Sequence, residues 1–168
     1  MRASRAAMHD APVRRIAEPR QVEVAAPQAD GRDDKAYILA ALASVPFLDG
    51  LPPKALRRLA SEVCASVFPA GSVVVRQGDS DGVGFFVVVS GVGAVRVGDR
   101  EVRRVREGDH FGAVATIDGG PRTATVSAVT ELRCLVLTDA AFHELIHDYP
   151  GIGWQLLVYL AGLVRASG

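Results

Sequence analysis

Arg122 follows Pro121 and precedes Thr123-Ala-Thr-Val126, a run suited to a strand. Upstream, Phe111-Gly112 opens a short helix-like run, and a Gly119-Gly120-Pro121 turn follows. This order suits capture of a small anion. The first N–H groups of a helix have no partner on their own axis and point outward at its positive end. An arginine beside them adds a planar fork of charged donors that matches two anion oxygens. Position 113 is Ala, so no carboxylate stands at the start of that stretch. Asp118 and the two glycines after it have the chemistry of a turn.

A second string, His143-Glu-Leu-Ile-His147, matches the metal-binding helix of zinc proteases, and its imidazoles would share one helix face. A catalytic zinc needs a third protein ligand. No His or Glu follows His147, and positions 150 and 153 are Pro and Gly. Both histidines also lie off the apolar stripe Phe142, Leu145, Ile146 and Tyr149, on the side expected to face water. The string reads as coincidence, and no metal site is expected. His110 reads as a turn residue. The chain has no nucleophile triad, carboxylate pair or G-x-x-x-x-G-K-S/T loop. No catalytic residue, cofactor or enzyme activity is expected.

Lys plus Arg and Asp plus Glu both number 19, so no net field draws the chain to nucleic acid or an anionic membrane. Cys64 and Cys134 form no C-x-x-C pattern and read as free thiols in a reducing cytoplasm. No secretory leader core is visible, and no apolar run reaches the ~18 residues of a membrane span. A cytoplasmic protein without membrane contact is expected. The Ala, Arg, Val and Gly bias fits a bacterial chain.

The elements that must position Arg122 are legible from periodicity. Residues 1–34 hold scattered prolines and charge with no sustained period, which predicts a disordered tail. Residues 35–168 form the domain. Asp33 or Asp34 caps a helix through Ala43, and Pro52-Pro53 starts a second. From Val67 the period becomes that of strands: Ser72–Arg76, Phe85–Val89, Ala94–Val97, Glu101–Val105, Thr123–Ala128 and Leu132–Leu137. Gly/Asp turns separate them. The expected fold is mostly β: an antiparallel jelly roll over about 66–137, with N-terminal helices and two C-terminal helices over about 139–165. Thr138 or Asp139 caps the first of these, and Pro150-Gly151 breaks the run. The last helix, Ile152 to Arg165, is apolar nearly all round. Leu156, Leu160 and Leu163 have the 4-3 spacing of a seam, which suits a homodimer contact.

In this order the fragments resemble the cyclic nucleotide-binding domain family, of the catabolite activator protein and cyclic-AMP-dependent kinase regulatory subunit type. The residues that carry the resemblance are Phe47-Leu-Asp-Gly-Leu-Pro52, Phe68-Pro-Ala-Gly71, Gln77-Gly78-Asp79, Phe86–Gly91, Phe111-Gly112 and Pro121-Arg-Thr-Ala-Thr-Val126. It spans about Ile38 to Arg165. It implies that Arg122 pairs with a cyclic phosphate. It places Gly112, Ala113, Val114 and Ala115 at the same phosphate through main chain. It sets Thr123 and Ala124 against phosphate or base. A Thr at 123 resembles cyclic-GMP-preferring members, and bacterial cyclic-AMP binders also carry Ser or Thr there. Trp154 is the aromatic placed to cap a base, with helix packing or a dimer contact as the plainer role.

Ala113 departs from the family pattern, in which a Glu accepts a hydrogen bond from the ribose 2′-OH. A hydrogen bond to a charged group is worth roughly 1.5–3 kcal/mol. The resemblance therefore implies a regulatory cyclic-nucleotide sensor, cyclic AMP before cyclic GMP, with weakened affinity. The alternative is a degenerate domain kept for dimerisation or protein interaction. The partner implied is an effector protein in trans. No helix-turn-helix follows the last helix, so no direct DNA binding is expected.

Overall fold

The run Phe85-Phe-Val-Val-Val89 has no polar alternate, and the fold explains why: the strand is covered on both faces. The structure, a computed structural model, describes residues 33–80 and 84–166. The tail expected over residues 1–34 lies almost wholly outside them.

Helix α1 (Asp33–Ala43), a 3-10 turn (Pro46–Leu48) and α2 (Pro53–Glu62) precede the strands. Then come β1 (Cys64–Phe68), β2 (Val73–Val75), β3 (Phe85–Ser90), β4 (Gly93–Val97), β5 (Arg100–Val105) and β6 (His110–Phe111). Helix α3 (Ala113–Asp118), β7 (Thr125–Ala128), β8 (Leu132–Leu137), α4 (Asp139–Asp148) and α5 (Pro150–Ala166) complete the order. The strands make two antiparallel four-stranded sheets, ordered β1-β8-β3-β6 and β2-β7-β4-β5. The fold is mostly β with flanking helices, as expected.

Side chains alternate across a strand, so β3 serves two cores. Phe86 and Val88 face the inner core between the sheets, with Val95, Val105, Phe111, Val126 and Cys134. Phe85, Val87 and Val89 face an outer core under the helices, with Leu42, Leu59, Leu145 and Leu156. Phe47, Phe85 and Phe142 make the centre of that outer core, with ring centroids 5.3–6.2 Å apart. Through them α4 rests on the strand whose Phe86 ring meets Arg122.

Several boundaries differ from expectation. β1 begins at Cys64 and includes Ala65 and Ser66, weak strand formers that are held by a five-residue register with β8. β7 begins at Thr125 because Thr123 and Ala124 remain in the turn. α5 starts at Pro150, where a missing N–H costs nothing in the first turn. Of the expected seam, Leu156 is buried in the chain's own core and Leu160 packs against it. The apolar side chains that α5 leaves exposed are Trp154, Leu157, Val158 and Val164. Cys64 and Cys134 are free. No described helix is long and apolar enough to cross a membrane.

Candidate functional site

Arg122 is fixed before its side chain does anything. Its N–H donates to Asp79 O (2.9 Å), and its carbonyl accepts from Gly78 N–H (2.8 Å). The turn Gln77-Gly78-Asp79 is thus a clamp on the Arg122 backbone. Its Gln77 N–H also donates to Thr125 Oγ1 (2.9 Å). The side chain runs inward and is only 4% exposed. Nη1 donates to Gly112 O (3.2 Å) and Nη2 to Gly84 O (3.0 Å). The guanidinium carbon lies 5.9 Å from the centroid of the Phe86 ring, a cation–π contact. Phe86 in turn stacks on Phe111 at 4.7 Å. Burial pushes the guanidinium pKa down, and the Asp139 carboxylate pushes it up. Arginine carries five N–H donors, so the two bonds to carbonyls leave others for a ligand.

Gly112 caps α3 with φ +91°, a region that favours glycine. A Cβ there would stand 2.8 Å from Arg122 Nη1 and 2.9 Å from Gly84 O. Gly112→Ala is therefore expected to cost at least about 1–3 kcal/mol from backbone strain alone. Urea unfolding checks this, and an unchanged midpoint would contradict the geometry. The first bond of α3 runs from Thr116 N–H to Gly112 O (3.2 Å). The N–H groups of Ala113, Val114 and Ala115 therefore lie ahead of the ladder. At the other end, Gly119 N–H closes on Ala115 O (2.9 Å), and Asp118 Oδ1 accepts from Gly120 N–H (2.8 Å). Asp118 and the glycines do turn chemistry.

One cavity of about 300 Å³ brings the predicted residues together. Gly112, Ala113, Val114, Ala115, Arg122, Thr123 and Ala124 all line it. Ala113 also packs against the outer core. Trp154 does not line the cavity; it is 70% exposed on the other side of α5. The aromatic of α5 that does line it is Tyr159.

Three polar lining side chains, Arg103, His110 and Tyr159, were not singled out by the sequence as ligand contacts. Arg103 lies on β5, two residues from the fully buried Val105, and alternation puts both on the inward face. Its Nη2 donates to His110 O (3.3 Å), and it also bonds the Tyr159 hydroxyl. Burial nonetheless raises the Tyr159 pKa. His110 is a buried strand residue, not a turn residue, with its ring 4.4 Å from that of Tyr159. Burial, with help from Arg103, pushes its pKa down to about 4, so the imidazole is neutral at pH 7. Among the described residues, the cavity wall thus carries two guanidiniums and no carboxylate. It suits an anion with polar acceptors.

The polar side chains of the His-Glu-x-x-His string point to separate partners. His143 Nε2–H donates to Thr116 O (2.6 Å). Glu144 pairs with Arg58 (3.1 Å), and His147 Nδ1 sits 3.3 Å from Asp148. Among the described residues, no group of three or more His, Cys, Asp or Glu could hold a metal ion.

Comparison with known proteins fits this geometry. The Cyclic nucleotide-binding domain family matches residues 65–149, half of the chain. A cAMP-dependent protein kinase regulatory subunit of Hypocrea atroviridis is 30% identical over 66% of this chain and 24% of its own length. The CRP-like cAMP-activated global transcriptional regulator of Mycobacterium tuberculosis is 30% identical over 75% of this chain and 58% of its own. The crystal structure of the Thermus thermophilus catabolite activator protein superposes with a TM-score of 0.65 at 27% identity, covering 73% of this chain and 59% of that one. The chain spans roughly a quarter to three-fifths of these curated relatives.

Proposed function

The chain belongs to the cyclic nucleotide-binding domain family, and from that premise we propose that it is a sensor of a purine 3′,5′-cyclic nucleotide. The observation that carries this reading is the convergence of Arg122 and the first amides of α3 on one wall of the cavity. The phosphate takes the free donors of Arg122 and the N–H groups of Ala113, Val114 and Ala115. Thr123 and Ala124 flank it. The base extends toward Arg103, His110 and Tyr159. Repacking of the helices from Asp139 onward, with α5 over the base, then passes the signal to an effector protein in trans.

Cyclic AMP is the first ligand in this reading, since the relatives above are named for cAMP. Two side chains favour cyclic GMP as a second. Arginine donates in bidentate fashion to guanine O6 and N7, a pairing worth about 1–3 kcal/mol against the wrong base. Arg103 is half-buried in the cavity wall and has the donors for it, and the Thr123 hydroxyl can meet the guanine amino group. Arg103→Ala is expected to lower cyclic GMP affinity about tenfold relative to cyclic AMP. Competition titration of both nucleotides against the variant reads this. Equal losses for the two would remove Arg103 from base selection.

The site has no acceptor for the ribose 2′-OH from position 113, so affinity is weakened. A reading as a dimerisation or interaction module draws on the exposed Trp154, Leu157, Val158 and Val164 of α5. It takes over if neither nucleotide binds.

A further inference from the structure

Among the described residues, Arg122 Nε and Asp139 Oδ1 are buried atoms without hydrogen-bond partners, as are His110 Nδ1 and Thr116 Oγ1. The first two belong to groups that attract one another through space. Asp139 is the first residue of α4. His143 stands one turn later, and residues i and i+4 share a helix face. From that face His143 Nε2–H donates to Thr116 O, in α3, at 2.6 Å. One face of α4 therefore addresses both halves of the anion site: the charge of Arg122 and the backbone of α3.

We propose that Asp139 and His143 are positioning residues of the phosphate site, with Asp139 and an incoming phosphate competing for the Arg122 guanidinium while His143 ties α3 to α4. This rests on the cyclic-nucleotide reading above. Phosphate at Arg122 places a second negative charge near Asp139. Like charges in a site of low polarity repel, so the first turn of α4 is driven outward. The His143 bond makes α3 follow that movement. α4 runs into α5 through Tyr149, and α5 carries Tyr159 on the cavity wall. Ligand capture and helix movement thus become one event.

The chain has a single tryptophan, Trp154, exposed on α5, which makes its emission a reporter of that helix. Calorimetric titration with cyclic AMP gives affinity, and Trp154 emission gives the response. Asp139→Asn removes the competing charge with little change in size. It is expected to tighten binding about fivefold, the low end of common coupling between sites, and to cut the saturating emission change by more than half. Asp139→Ser, which keeps a helix-start residue, should behave alike. His143→Ala should cut the saturating emission change by more than half. His143→Gln, whose amide can donate to the same carbonyl, should restore it. Wild-type affinity and full amplitude in either Asp139 variant would overturn the competition. Full amplitude in His143→Ala would overturn the tie. Absence of binding to the wild-type chain would instead sink the cyclic-nucleotide reading, and this inference with it.

Discussion

Arg122→Ala is expected to weaken cyclic nucleotide binding at least about thirtyfold, because truncating one partner of a buried, hydrogen-bonded charge pair costs roughly 2–5 kcal/mol. The side chain is fixed for this task by its clamped backbone and by the carbonyls of Gly84 and Gly112. The same bonds give the variant a second effect. The buried Gly84 carbonyl loses its side-chain donor, which costs about 1–3 kcal/mol if nothing replaces it, while Gly112 O keeps the Thr116 N–H. Calorimetry must therefore be run beside thermal unfolding. Arg122→Lys separates the effects. It keeps the charge but not the fork, so binding should still fall while the chain stays folded. Full affinity in folded Arg122→Lys and Arg122→Ala would remove this residue from the site.

Ala113→Glu has the largest expected gain. A carboxylate there would accept from a ribose hydroxyl, worth roughly 1.5–3 kcal/mol, or about 10- to 150-fold in affinity. Its surroundings favour the change. Position 113 is the first residue of α3, where a negative charge is stabilised by the helix dipole. The cavity wall supplies the cations Arg103 and Arg122. The core side of Ala113 cannot take the added atoms, so the side chain must leave toward the cavity. Titration of the variant with cyclic AMP and with its 2′-deoxy analogue reads the effect. The gain should vanish for the deoxy nucleotide. An equal gain for both would mean that the carboxylate acts through charge and not through the ribose.

The parts of the site encoded in contiguous sequence were legible without a fold. Gly112, the start of α3 and Arg122 fall within one short stretch, and each residue type states its own chemistry. The clamp formed by Gln77-Gly78-Asp79 was visible as a turn, but its target was not, since nothing local says that it grips Arg122. Arg103 hides behind its own charge. A strand Arg reads as solvated, and only its alternation with Val105 marks it as inward. Tyr159 shares the inward face of α5 with Ile152 and Leu156, a helical spacing that was present in the sequence. Trp154 was singled out as the last helix's aromatic that the resemblance would set over a base, and the pitch of α5 turns it to solvent. The seam spacing of Leu156, Leu160 and Leu163 was real, but the chain's own outer core occupies its first positions. Periodicity identifies an apolar face; it does not identify what covers that face.

The most direct test is calorimetric titration of the unmodified chain with cyclic AMP and, separately, cyclic GMP, carried to millimolar ligand. The cavity built on Arg122 predicts saturable, one-site binding of at least one of them, weakened by the alanine at position 113. Absence of heat for both, with Ala113→Glu also silent, would contradict the sensor and leave a fold retained for protein contacts alone.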